Sequence, residues 1–204
     1  LLWGVATAML RFVPFVGAAP AVVSAAPPTA IDLSTYVRVG RFDLPEPTRT
    51  AAPANSVLAQ EVSAVTYNPV TDTLFVVGDG GTSIVQVSKT GVLIDSMTLS
   101  PGASPQGTEF YDPEGLTYIG GGNQFVMVEE RDRQVSKFTY VAGATLLRSD
   151  VQTVDLGTFV PNIGIEGISY DPQTSGFVAV KEITPQGIFQ TGVDFAAGTA
   201  TNGS

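Results

Sequence analysis

From residue 36 onward the chain is a succession of short apolar or alternating runs separated by turn formers, a pattern that predicts strands. Residues 36–44 alternate and read as a leading strand, followed by a Pro- and Ala-rich loop over 45–55. Four strands are then expected at 62–67, 74–78, 83–87 and 92–99. Asn68-Pro69, Asp79-Gly80-Gly81 and Lys89-Thr90-Gly91 supply the turns between them. Four more strands follow at 115–119, 124–129, 134–141 and 151–156. A third set is legible at 167–170, 177–181 and 187–190; its fourth strand is not clear, and residues 196–204 read as unfinished. No stretch has the length and period of a long helix.

The sets are copies of one another. Placing Tyr67, Tyr118 and Tyr170 in one column aligns the flanking residues without a gap, at spacings of 51 and 52. Twelve positions after each tyrosine stands an acid: Asp79, Glu130 and Glu182. Four positions before it stand Ser63, Glu114 and Glu166. A period near 50 residues made of four short strands marks the blade of a β-propeller. The fold class is therefore all-β, a propeller of four-stranded antiparallel blades. Three blades and one leading strand, about three and a half blades, do not close a ring, so the chain is expected to be a fragment of a longer one. The tyrosines fall on the first strand and read as core.

Residues 1–30 are unlike the rest, with Arg11 their one charge and an apolar run over 12–23. Val23-Ser24-Ala25 fits a small-residue cleavage site, so the segment reads as a secretory signal peptide or a membrane anchor. Pro14, Gly17 and Pro20 count against one regular spanning helix. The propeller domain is assigned to residues 31–204, and the expected location is periplasmic or extracellular, with attachment to the inner membrane as an option.

Composition narrows the chemistry. The 204 residues include no Cys and no His. That excludes disulfides, thiol catalysis, His-based triads and the usual zinc sites. Any metal must be held by oxygen, which favours Ca²⁺ or Mg²⁺ over zinc or copper. The net charge of -9 argues against a nucleic-acid surface. Gly78-Asp79-Gly80-Gly81 lacks the Lys-Ser/Thr of a phosphate loop and reads as a tight turn.

The acids form the candidate site. In each copy the first two strands make a hairpin, and neighbouring strands lie about 4.8 Å apart. Glu114 should then meet Glu130, and Glu166 should meet Glu182, at one end of their blades; Ser63 and Asp79 hold the same places in the first. If the first strands line a central channel, these acids ring its mouth. Like charges so close need a cation, a basic partner or a shared proton. A Ca²⁺ site would use Asp79, Glu114, Glu130, Glu166 and Glu182, with Asn162 adding an amide oxygen; Asp112-Pro113-Glu114 could add a metal oxygen or be ordinary turn chemistry. A carboxylate pair could instead work as acid and base. The third reading is internal ion pairing, with Arg131 and Arg133 beside Glu129-Glu130 and Lys181 beside Glu182. No catalytic residue is singled out.

The same stretches resemble a known family. Residues 61–69 with 73–77, Glu114 to Tyr118 with 125–131, and Asn162 to Tyr170 with 180–185 look like three signatures of the SdiA-regulated family, the YjiK/CarP-like bacterial envelope proteins. The resemblance covers residues 38–189. It implies a six-bladed β-propeller, periplasmic or held at the inner membrane, with some members tied to calcium responses. It also implies a fold close to the calcium-dependent phytase-like propellers, which makes a Ca²⁺-dependent phosphoesterase the alternative to a calcium- or ligand-binding role. A basic residue that follows the third signature's Glu in the family is absent after Glu182.

Overall fold

Residues 32–44, 59–183 and 185–201 are described by the computed structural model. The segment 1–30, the loop at 45–55 and Thr184 lie outside the described residues. The chain divides into two units, Leu1–Arg38 and Val39–Ser204. The described part of the first unit holds a 3-10 turn, Leu33–Thr35, opened by Asp32, whose Oδ1 accepts from the Ser34 N–H at 2.9 Å.

Among the described residues the second unit carries thirteen strands. These are β1 (Val62–Asn68), β2 (Thr73–Gly78), β3 (Ser83–Val87), β4 (Leu93–Leu99), β5 (Pro113–Gly120), β6 (Gln124–Glu129), β7 (Gln134–Thr139), β8 (Thr145–Leu146), β9 (Gln152–Asp155), β10 (Ile165–Asp171), β11 (Gly176–Lys181), β12 (Gly187–Asp194) and β13 (Thr199–Thr201). They form three antiparallel blades, β1-β2-β3-β4, β5-β6-β7-β9 and β10-β11-β12-β13. The short β8 runs parallel to β4, pairing Thr98 with Thr145, so the second blade reaches back over the edge of the first.

Two expectations need correction. Residues 36–44 make no strand. Alternation gives a strand only where a neighbour bonds to it and buries one face; Val37 and Val39 instead stand 81% and 97% exposed. The described chain thus holds three blades, without a leading half blade. The third blade's missing strand is β13, inside the run that looked unfinished: Thr199 pairs with Asp194 and Thr201 with Gly192.

Burial explains the run of apolar residues in each second strand. Along β6, Phe125 and Met127 enter one core with Phe75, Ile84, Leu99 and Phe110 of the first blade. Val126 and Val128 point the other way, into a core with Ile165, Phe177 and Ala179 of the third. Side chains alternate across a strand, so a strand buried on both faces must be apolar at every position. Phe125 packs at 4.6 Å from Phe75 and 5.9 Å from Phe138, between ring centroids.

The first strands of the three blades pack side by side, tied by a repeated bond. The Thr66 hydroxyl accepts from the Tyr118 N–H at 3.0 Å, and the Thr117 hydroxyl accepts from the Tyr170 N–H at 3.0 Å. Tyr118 and Tyr170 pack against Phe125 and Phe177, as core residues do. Tyr67 differs: it is exposed, and its hydroxyl donates to Asp72 at 2.5 Å.

Candidate functional site

Each first strand opens with a β-bulge. Pairing jumps between Val62 and Ala64, between Pro113 and Gly115, and between Ile165 and Gly167. The unpaired residues are Ser63, Glu114 and Glu166, the column found four positions before the tyrosines. A bulge frees one residue from the ladder and re-aims its side chain. All three residues line a shared cavity of about 270 Å³ across the first strands. The acids at the other column, Glu130 and Glu182, lie one residue past the ends of β6 and β11.

The bulge changes who meets whom. Glu114 does not pair simply with Glu130. Its carboxylate gathers with Asp79, from the end of the preceding blade's second strand, and with Asp112; oxygens of the three lie within 4.8 Å of one another. Glu166 does join Glu182, as the hairpin geometry demands, and Glu130 of the preceding blade completes that group within the same 4.8 Å. The six carboxylates form one arc across three blades. Asn162 Oδ1 accepts from the Arg131 guanidinium, which also binds Asp112 of the first group.

The electrostatics follow from burial and mutual repulsion. Burial first, then the charges of Asp79, Asp112 and Glu130, push the Glu114 carboxyl up to about 7, against a hydrogen bond from Ser63 that pulls it down. Glu130 is buried and its carboxyl is also raised, while the Gly164 N–H donates to its Oε1 at 2.9 Å and stabilises the anion. Glu166 is raised by burial and by Glu114 and Glu182, and it shares a hydrogen bond with Glu130.

The basic residues are used differently from the sequence expectation. Arg131 binds Asp112 and Asn162, with its guanidinium 5.2 Å from the Tyr111 ring centroid. Glu129 is fully buried and takes Arg148 in a two-pronged bond at 2.8 and 2.5 Å. Ser136 Oγ and the Tyr111 N–H complete its shell at 2.9 Å each. Arg148 lies far along the chain from Glu129, so local spacing could not reveal the pair. Among the described residues, no ion pair reaches Glu130, Glu166 or Glu182.

Sequence reasoning also missed Glu61. It sits six positions before Tyr67, as Asp112 sits six before Tyr118, and both adopt left-handed backbone, at φ 53° and 57°. A second pair of acids in one column was the available signal.

Three solved structures resemble the chain in part. Glutaminyl cyclase from Myxococcus xanthus matches at 14% identity and a TM-score of 0.46, over 66% of this chain and 56% of that one. Hydrazine synthase from Kuenenia stuttgartiensis matches at 13% identity and a TM-score of 0.38, over 70% and 48%. Virginiamycin B lyase from Staphylococcus aureus matches at 15% identity and a TM-score of 0.40, over 73% and 43%. The chain therefore spans about half the length of the structures it matches. The SdiA-regulated family model matches residues 48–203, most of the chain and all three blades, and the chain belongs to the SdiA-regulated family.

Proposed function

We propose that the protein binds Ca²⁺ on Glu130, Glu166 and Glu182 at the inner mouth of its blades, and serves in calcium homeostasis or signalling at the cell envelope. One observation carries this reading: three carboxylates from two blades converge within 4.8 Å with no ion pair among the described residues to neutralise them. Two oxygens bound to one Ca²⁺ at about 2.4 Å can stand no more than about 4.8 Å apart, so the spacing suits that ion. Mg²⁺, with shorter bonds and a stricter octahedron, suits it less. The group of Asp79, Asp112 and Glu114 is the weaker cation site, since Arg131 already offsets Asp112.

Thermal melting at pH 7.5 tests the proposal. Ca²⁺ at ~100 times its Kd should stabilise the fold by about 2.7 kcal/mol, and Mg²⁺ at equal concentration should do less. Glu182→Gln should remove most of the Ca²⁺ response. Equal melting with and without Ca²⁺ would sink the idea.

A Ca²⁺-dependent phosphoesterase is the second reading. It needs free basic side chains to hold phosphate, and Arg131 is committed to Asp112 and Asn162. Ca²⁺-dependent release of phosphate from p-nitrophenyl phosphate would promote this reading over simple binding.

A further inference from the structure

The two seams between the blades follow one plan. At the second seam, Val128 of β6 and its cross-strand partner Val135 of β7 are fully buried in the core shared with the third blade. The Thr117 hydroxyl accepts from the Tyr170 N–H. Gly115 lets the third blade's first strand close in, since a Cβ there would stand 3.0 Å from the Ile168 nitrogen. At the first seam the receiving strand is β5, where Leu116 is 3% exposed and Tyr118 packs into the core of the first blade.

Both halves of this plan recur uncovered on the outer blades. On the third blade, Val180 stands where Val128 does and pairs with Ile188 across the strand, yet the two are 38% and 77% exposed. Ser169, in the place of Thr117, is exposed too. Gly167 holds the place of Gly115, and a Cβ on it would meet only Val180 of its own blade. On the first blade, Val65 and Tyr67 hold the places of Leu116 and Tyr118 and are 61% and 45% exposed. Side chains alternate along a strand, and Ala64 and Thr66 face the second blade, so Val65 and Tyr67 face away from it.

We infer that a second copy of this chain docks the open side of its first blade on the open side of the third blade, and that the same contact made twice closes a ring of two copies. Continuity with the two existing seams carries the pairing. The partner's Val65 and Tyr67 cover Val180 and Ile188, and Ser169 Oγ accepts from the partner's Tyr67 N–H. A head-to-tail contact of this kind either closes into a ring or grows without limit. Propellers typically close at four to eight blades, and copies of three blades each reach that range only as a pair. By the same columns Glu182 comes beside the partner's Glu61, as Asp79 stands beside Asp112. That repulsion and the net charge of -9 oppose association, so added salt should strengthen it. The inference does not rest on the calcium reading.

Light scattering on the full chain across a wide range of concentration, in ~0.15 M salt, tests it. The mass should rise from 21.2 kDa to twice that value and stop there. Ile188→Asp and Val65→Asp each put a charge on a position that is exposed in the single copy, so both variants should fold. Each should dimerise roughly thirtyfold more weakly, the scale of one buried aliphatic side chain. Ser169→Ala should weaken the dimer roughly fivefold, as loss of one hydrogen bond does. The Tyr67 amide should exchange its hydrogen more slowly in the wild-type dimer than in Ile188→Asp. A mass of 21.2 kDa at every concentration, or growth past two copies, would overturn the inference. So would a dimer that survives both Ile188→Asp and Val65→Asp, as one held through residues 1–30 would. Circular dichroism of each variant checks folding, and Ile188→Asp alone decides if Val65→Asp does not fold.

Discussion

Two adjacent glutamates show how far a single position in the pleat decides chemistry. Glu129 is the last residue of β6 and turns into the blade, where Arg148 binds both its oxygens; Glu130 turns to the mouth. Removing one partner of a buried pair strands the other charge. Arg148→Ala should therefore destabilise the fold by about 3–5 kcal/mol in urea denaturation. Glu130→Gln should cost far less, since among the described residues no ion pair reaches Glu130. The raised acids also fix a pH dependence. Glu114 ionises near 7 in the folded chain but near 4.5 when unfolded, and Glu130 and Glu166 are shifted the same way. Between those values the folded state binds more protons, so stability of the cation-free protein must fall as pH rises from about 4.5 to about 7. The depressed acids Asp72, Glu109 and Asp171 act oppositely, but below that window. Melting temperatures at pH 5 and pH 7.5 without Ca²⁺ check the sign, and added Ca²⁺ should flatten or reverse the slope.

At the scale of the element, turns and strands were legible because their residue types are forced. The hairpin between first and second strands places Asp72, Asn123 and Ser175 in left-handed backbone, each five positions after its tyrosine. The bulges were not legible. One extra residue leaves the apolar pattern almost intact, yet it shifts Ser63, Glu114 and Glu166 out of the ladder and turns Glu114 toward the preceding blade. The hairpin argument thus brought Glu114 within reach of the Glu130 charge while missing its grouping with Asp79 and Asp112. The seam between blades is equally specific. A Cβ on Gly164 would collide with the Glu130 carbonyl oxygen and crowd the Glu130 side chain. Gly164→Ala should lower stability and Ca²⁺ affinity together, by an amount set by how far that backbone can retreat. Thr117→Val removes one inter-blade acceptor and should cost about 1 kcal/mol by the same denaturation assay, with Ca²⁺ binding preserved.

For the whole molecule, a period near 50 residues sufficed to give blades, because each copy must bury two faces against neighbours. Phe125 stands at the centre of the first interface, fully buried among Phe75, Phe138 and Tyr140. Phe125→Ala should cost about 3–5 kcal/mol and loosen the first and second blades together. The pattern misled at residues 36–44, where alternation had no sheet edge to join, and at the third blade, where β13 is too short and polar to stand out. The acid arc exists only at this scale, since its two groups each draw on neighbouring blades. We propose that the arc is a cation site whose carboxylates repel one another when no ion is bound. Isothermal titration of Ca²⁺ into the wild type and Glu166→Gln at pH 7.5 and pH 5.5 tests this most directly. The account predicts saturable binding at pH 7.5, weaker binding at pH 5.5 with protons released to the buffer, and loss of binding in Glu166→Gln. Absence of binding at pH 7.5, or equal binding by Glu166→Gln, would contradict it.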